Sequence, residues 1–445
     1  MATQTSYAPR IIDAELDELV PSLAALALDG PKGVGKTATA LQRARTVYRL
    51  DDRAQRLAVE AATDVALRAD APVLFDEWQR YRPIWDAVRR AVDRGARPGS
   101  YLLTGSAVPE HEDDAGPIHS GAGRIVSLRM RPLSFAERGL GPGTVRLADL
   151  LAGMRPDVAG TTTVDVSAYA REVVSSGFPG IRGLAGRARR AQLDGYLTRV
   201  VDRDFEEAGH KVRRPEALRR WMRSYAAATA TAATFEKIRD ASTSGEGETL
   251  AKTSVLAYRD VLERLFLLEP LPGWLPSRNH LGRLSQAPRH HLADPALAAR
   301  LLGVDEGALL QGALSPLFDP AVGPLDRRTQ MLAPRDGTLF GQLFESLVTQ
   351  SVRVYAQPAE ATVHHLRTEE GRHEVDLIVQ RGDHRVVALE VKLSPVVEDR
   401  DVAHLLWLRD LLKGDLLDAA VITTGQQAYR RRDGIAVIPA ALLTA

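Results

Sequence analysis

Three short stretches combine residue types whose spacing suits chemistry. The first is GPKGVGKT, residues 30–37. Gly30, Gly33 and Gly35 permit a tight turn that points backbone N–H groups at phosphate oxygens, with Pro31, Lys32, Val34 and Ala38 in the same phosphate-binding stretch. Lys36 adds a compact charge between the outer phosphates, and the Thr37 hydroxyl is placed for Mg²⁺. The second is VLFDEW, residues 73–78, where Asp76 can hold Mg²⁺ through water and Glu77 can orient or deprotonate an attacking water. Adjacent Asp and Glu at this place favour hydrolysis over binding alone. The third is EVDLIVQRGDHRVVALEVK, residues 374–392. Asp376, Glu390 and Lys392, with Glu345 from upstream, make the set that a metal-dependent nuclease needs: carboxylates that share cations and a lysine near the attacking water.

Each set depends on the elements beneath it. LAALALD (residues 23–29) reads as a short buried strand and ATALQRARTVY (38–48) as a helix, so the phosphate stretch is a strand-to-helix turn. Val73, Leu74 and Phe75 form a second buried parallel strand with Asp76 at its carboxyl end. YLLTGS (101–106) reads as a third. Ser106, with Thr104 behind it, is placed to touch a γ-phosphate or the water, and the same residues also suit a plain turn. Arg124 begins a further strand, where it either reaches a neighbouring subunit's γ-phosphate or is a solvated surface arginine.

In the third stretch, side chains alternate along a strand, so Glu390 and Lys392 share a face. Asp376 joins them if it lies opposite Glu390, which requires a connection centred on Asp383. A three-residue loop of Gly382, Asp383 and His384 satisfies this, with glycine suited to the turn. FGQLFESLVTQSV (340–352) is an amphipathic helix that brings Glu345 to the cluster. Glu-x-Lys at a strand end also serves as a surface salt-bridge pair.

The order GPKGVGKT, VLFDEWQ, YLLTGSA, GRIVSLRMRPLSFAE and SGFPG (176–180) resembles the prokaryotic predicted ATPases of the AAA superfamily whose C-terminal half was classed as a domain of unknown function. The resemblance runs over nearly the whole chain. It implies nucleotide chemistry at Lys36, Thr37, Asp76 and Glu77, a sensor position at Ser106 and an arginine finger at Arg124. The helix Glu, strand Asp and Glu-x-Lys set resembles the restriction-endonuclease-like fold, whose relatives also persist as inactive scaffolds.

At 445 residues the chain exceeds one compact core, given roughly 100–200 residues per domain. A net charge of +1 gives no global electrostatic case for nucleic acid, so any basic surface is local. Only seven of the 58 basic residues are lysines, so two lysines at motif positions stand out against 51 arginines. The absence of cysteine excludes disulfides, thiolate metal sites and cysteine nucleophiles. No apolar run reaches the ~20 residues that span a bilayer, and the first ten residues lack a signal peptide's apolar stretch, so a cytoplasmic location is expected.

The middle of the chain reads as helical, and residues 181–224 hold twelve Lys or Arg against six Asp or Glu, a local basic excess that suits either nucleic acid or a solvated helical face. Residues 249–268 read as a helix and EPLPGWLP (269–276) as a wing, which suggests a DNA-contacting or docking winged-helix unit. His290 and His291 are adjacent, face opposite ways on a strand, and do not form a metal pair.

The resulting expectation is an α/β protein: a P-loop AAA-type core (1–142), a helical lid (143–210), a winged-helix-like unit (211–303) and a C-terminal restriction-endonuclease-like α/β domain (304–445). ATP and Mg²⁺ are the expected cofactors. The leading function is ATP hydrolysis coupled to a DNA-directed, nucleolytic C-terminal domain. The alternative is a nucleotide-controlled interaction protein whose last domain is a non-catalytic scaffold. DNA, through the middle and C-terminal domains, and further copies of the chain are the expected partners.

Overall fold

The computed structural model describes residues 7–106, 121–243, 250–276, 286–314, 337–368 and 371–445. Five short strands, β1 (Ala25–Asp29), β2 (Thr46–Arg49), β3 (Val73–Asp76), β4 (Tyr101–Gly105) and β5 (Val126–Arg129), form one parallel sheet in the order β2-β3-β4-β1-β5. Side chains alternate across it. Leu26, Leu28, Leu74, Leu102 and Leu128 enter one core, while Ala25, Ala27, Val73, Phe75 and Leu103 enter another. Burial on both faces explains why β1 and β3 read as continuous apolar runs. Because every strand is parallel, the carboxyl ends share one edge, and the phosphate loop, Asp76 with Glu77, and Ser106 all emerge there.

A second, eight-stranded sheet is built mostly from the end of the chain. Its strands are β7 (Gly160–Thr161), β8 (Gly273–Trp274), β9 (Thr362–Arg367), β10 (Glu374–Gln380), β11 (Val386–Lys392), β12 (Leu416–Thr423), β13 (Gln427–Arg430) and β14 (Ala436–Pro439), in the order β7-β13-β14-β12-β11-β10-β9-β8. The strand β6 (Val145–Arg146) pairs separately with β15 (Leu443–Thr444). The helix Gly337–Ala356 buries Leu343, Phe344, Leu347 and Val348 in the core that also holds one face of the first sheet, and the Phe344 ring lies 5.2 Å from Tyr169 and 6.5 Å from Phe135. The helix Asp399–Leu412 buries Val402, Leu405 and Leu408 on the second sheet's other face.

Two parts of the middle region take roles different from those expected. The stretch opening the predicted lid supplies β6 and β7, which join the C-terminal strands β15 and β13, before the helices Val166–Ser175 and Gly186–Arg199 begin. The segment expected as a wing is instead drawn onto the C-terminal sheet: β8 pairs in parallel with β9, and Leu268 and Leu271 bridge to Leu292 and Arg289. Pairing satisfies backbone groups that β9 would otherwise expose as an open edge. The preceding helix, Lys252–Arg264, buries Val255, Tyr258, Val261 and Leu262. Its basic groups are engaged within the chain: Arg259 contacts Asp260 at 3.3 Å, Lys252 lies 3.7 Å from Glu236, and Arg264 donates to the Asp260 carbonyl at 3.3 Å. Among the described residues no helix is long and apolar enough to cross a membrane.

Candidate functional site

The phosphate loop leaves β1 and enters the helix Lys36–Leu41. Two glycines are needed for its shape. Gly35 has φ +107°, a conformation that side-chain-bearing residues rarely adopt, and a Cβ on Gly30 would stand 2.2 Å from the Met130 carbonyl oxygen. Lys36 is buried, and its ammonium donates to the carbonyls of Gly30 at 2.7 Å and Pro31 at 2.9 Å. Burial pushes its pKa down to about 8, against the opposing pull of Glu77, Asp29 and Asp76. The Thr37 hydroxyl donates to Asp76 Oδ1 at 2.7 Å, and the Thr104 hydroxyl donates to the same oxygen. Thr104, expected behind Ser106, thus joins Thr37 in fixing Asp76.

Glu77 adopts a left-handed backbone conformation with φ +55°, a strained geometry for a non-glycine residue at the mouth of a site. Its carboxylate accepts from the Gln79 amide at 2.5 Å and from the Ser106 hydroxyl at 3.4 Å, and the same amide lies 3.4 Å from Ser106. Lys36, Thr37, Asp76, Glu77 and Ser106 therefore gather at one edge. Thr37 and Asp76 are the residues that would hold Mg²⁺, and their shared, part-buried hydrogen bond fits that role.

Two expected residues are placed elsewhere. The Lys32 side chain turns from the loop to the helical stretch 200–207, at 2.6 Å from Asp204 and 2.8 Å from Glu207, and Glu207 also receives Arg80 at 3.0 Å. Burial opposes the Lys32 charge, but the hydrogen bonds it donates to Asp204 and Glu207, with their negative charges, outweigh it and raise the pKa. Arg124 precedes β5 on the sheet edge opposite the phosphate loop, where it is half-exposed and 2.8 Å from Asp93. Within one chain it cannot reach the loop, since parallel strands put their starting ends on the far side.

The C-terminal cluster is assembled, with an arginine among its carboxylates. The register that pairs Leu377 with Leu389 and Gln380 with Val386 is centred on Asp383, and Arg381 and Arg385 close a three-residue loop. Gly382 is not the residue that uses left-handed geometry there; His384 takes φ +67°. Asp376 and Glu390 are both buried, and Lys392 Nζ lies 2.8 Å from Glu390 Oε1. The unexpected member is Arg289. Its guanidinium donates to Asp376 Oδ1 at 3.0 Å and also to Glu345 and Glu374. Val391 N donates to the second Asp376 oxygen at 2.8 Å.

Among the described residues no three His, Cys, Asp or Glu side chains are placed to hold a metal ion. The expected carboxylates Asp376, Glu390 and Glu345 are brought together, with a cation from the chain among them. A planar guanidinium already bridges two of these carboxylates, and the third is engaged by lysine. The crowding remains visible in the acidities. Burial drives the Glu345 carboxyl well above the usual carboxylate range, with Asp376 adding to it. Burial and then the Asp376 charge push Glu390 up to about 8, and Glu390 Oε2 is buried without a hydrogen-bond partner. No motif marked Arg289, one of 51 arginines, and its partners lie far along the chain. His290 and His291 bond apart, to the Ala233 carbonyl and to Ser346, as their alternation suggested.

Comparison with known proteins finds separate matches along the chain. Residues 23–139 match a family model described as an AAA domain, residues 166–308 one described as a domain of unknown function (DUF8612), and residues 340–443 another of that kind (DUF4143). Uncharacterized proteins of Mycobacterium bovis and Mycobacterium tuberculosis are each 24% identical over 241 residues, which is 54% of this chain and 46% of theirs. The chain thus spans about half the length of these relatives. Among solved structures, a Walker-type ATPase of Pyrococcus abyssi is 16% identical with a TM-score of 0.38, covering 65% of this chain and 94% of its own. The replication initiator DnaA, bound to AMPPCP and single-stranded DNA, is 18% identical with a TM-score of 0.21, covering 57% and 86%. The chain carries an AAA domain with a P-loop nucleotide-binding core, followed at its C-terminus by a domain of the DUF4143 family.

Proposed function

We propose that the protein binds ATP with Mg²⁺ and hydrolyses it, and that its nucleotide state governs a C-terminal domain that is not itself a metal-dependent nuclease. The observation that carries the first part is the state of Lys36: a buried ammonium whose acceptors are two carbonyls of its own loop, with Thr37 and Asp76 joined beside it. A phosphate oxygen is a stronger acceptor than a carbonyl for such a charge. When bound, Mg²⁺ neutralises charge on the β- and γ-phosphate oxygens. Glu77 orients the attacking water and takes its proton as the water oxygen bonds to the γ-phosphorus and the bond to the ADP oxygen breaks. Gln79 and Ser106 hold the Glu77 carboxylate for that step. Arg124 enters this reading as a finger toward a second copy of the chain. Specific activity that rises with protein concentration, and falls on the order of 10³-fold in Arg124→Ala, tests that part; equal activity on dilution removes it.

The second part is supported by Arg289, which supplies to Glu345, Glu374 and Asp376 the positive charge that a divalent ion would otherwise bring. We therefore favour the interaction reading of the C-terminal domain over the nucleolytic one. Plasmid and single-stranded DNA incubated with the protein and Mg²⁺ or Mn²⁺ should stay intact with and without ATP. Cleavage that disappears in Asp376→Ala would reinstate the nuclease. Phosphate release that needs Mg²⁺ and is lost in Lys36→Ala tests the ATPase itself.

A further inference from the structure

Arg10 lies outside every motif, yet its buried guanidinium is tied to three places at once. Nη1 donates to the Val34 carbonyl inside the phosphate loop at 3.0 Å, Nη2 to the Arg131 carbonyl at 2.7 Å, and Nε to Glu137 Oε1 at 2.8 Å. Glu137 in turn caps its own turn, accepting from Ile11 N at 2.9 Å and from Ser134 N at 2.8 Å. The stretch 131–137 is where the helix Gly337–Ala356 docks: Phe135 N donates to Ser351 Oγ at 3.1 Å, Ala136 N to the Tyr355 hydroxyl at 3.0 Å, and the Gln350 amide to the Pro132 carbonyl at 2.7 Å. The same stretch continues directly from β5, and Met130 N bonds to the Asp29 carbonyl at 2.7 Å, next to the loop's first glycine. One arginine thus links the phosphate-loop backbone to the connector that seats the C-terminal helix.

We propose that Arg10 is a positioning residue that sets the conformation of the phosphate loop and carries its nucleotide state to the helix Gly337–Ala356. The proposal rests on the ATP-binding reading and specifies the route by which it acts. A loop that closes on phosphates must move the Val34 carbonyl or hold it fixed, and either change is felt by a guanidinium whose remaining donors are committed to Arg131 and Glu137. A two-state element biased from both ends is what coupling between sites requires.

The test compares amide hydrogen exchange in the full chain, with and without Mg·ATP, for the wild type, Arg10→Lys and Arg10→Gln, beside ATP titrations of each and of Lys36→Ala. In the wild type, nucleotide should slow exchange at residues 350–356. In the Arg10 variants the KM for ATP should rise about tenfold, by more than kcat falls, while that distant protection disappears. Arg10→Lys keeps the charge but an ammonium spans fewer of the three acceptors, so it reads the geometry if Arg10→Gln does not fold. Nucleotide-dependent protection persisting in Arg10→Lys would overturn the proposal, as would a wild type that binds ATP without any change at 350–356. Failure of the wild type to bind ATP, or unaltered binding in Lys36→Ala, would instead defeat the ATP reading on which it rests.

Discussion

At the scale of single residues, charge and burial set the expected behaviour. Lys36→Ala should weaken ATP binding by several kcal/mol, because a phosphate loses a desolvated cation aimed at it. Isothermal titration measures this directly. Glu390 offers a pH test. Its carboxyl is pushed from the ordinary 4.5 to about 8 by burial and by Asp376, so between those values the folded form holds a proton that the unfolded form has released. Stability should therefore fall as pH rises from about 4.5 to about 8, and Glu390→Gln should flatten that fall in denaturant titrations. The residues with local signatures, Lys36, Thr37, Asp76 and Glu77, were legible because a strand, a glycine turn and a helix fix where they must sit. Arg10 and Arg289 were not, because Glu137 and Arg131 for the one, and Glu345, Glu374 and Asp376 for the other, lie over 50 residues away and nothing in their neighbours' types marks them. The bridging guanidinium at Asp376 was the part of that cluster the sequence left unmarked.

At the scale of elements, period-two alternation and loop length were sufficient to give the β10–β11 register centred on Asp383, and the amphipathic pattern gave the helix carrying Glu345. What alternation could not give is the fate of a short strand. EPLPGWLP has the composition of a wing, but the unpaired edge of β9 captured its Gly273–Trp274 as β8. Arg289, further along the chain, bridges back to Leu271 within this segment, so it braces the segment as well as the carboxylates. Arg289→Ala would leave Glu345, Glu374 and Asp376 without their cation and should cost about 3–5 kcal/mol, read as a lowered denaturant midpoint. A loss under about 1 kcal/mol, the size of an exposed pair, would show that these contacts are not formed as described.

At the scale of the molecule, the two sheets are not independent bodies. Val145–Arg146 and Gly160–Thr161, early in the chain, pair with strands at its end, and the rings of Phe135, Tyr169 and Phe344 each contact the other two. A chain stopped before Gly337 would expose that core and leave β6 and β7 without partners, so it should lack a cooperative thermal transition that the full chain shows. In the proposed reading, this shared core is the path between the nucleotide site and the second sheet. The most direct test of the central claim is the pair of rates for ATP binding and turnover in the wild type and Glu77→Gln with Mg²⁺. The wild type should release phosphate, and Glu77→Gln should bind ATP with similar affinity while turning over at least 10²-fold more slowly. Glu77→Gln turning over at the wild-type rate, or a wild type that releases no phosphate, would contradict the account.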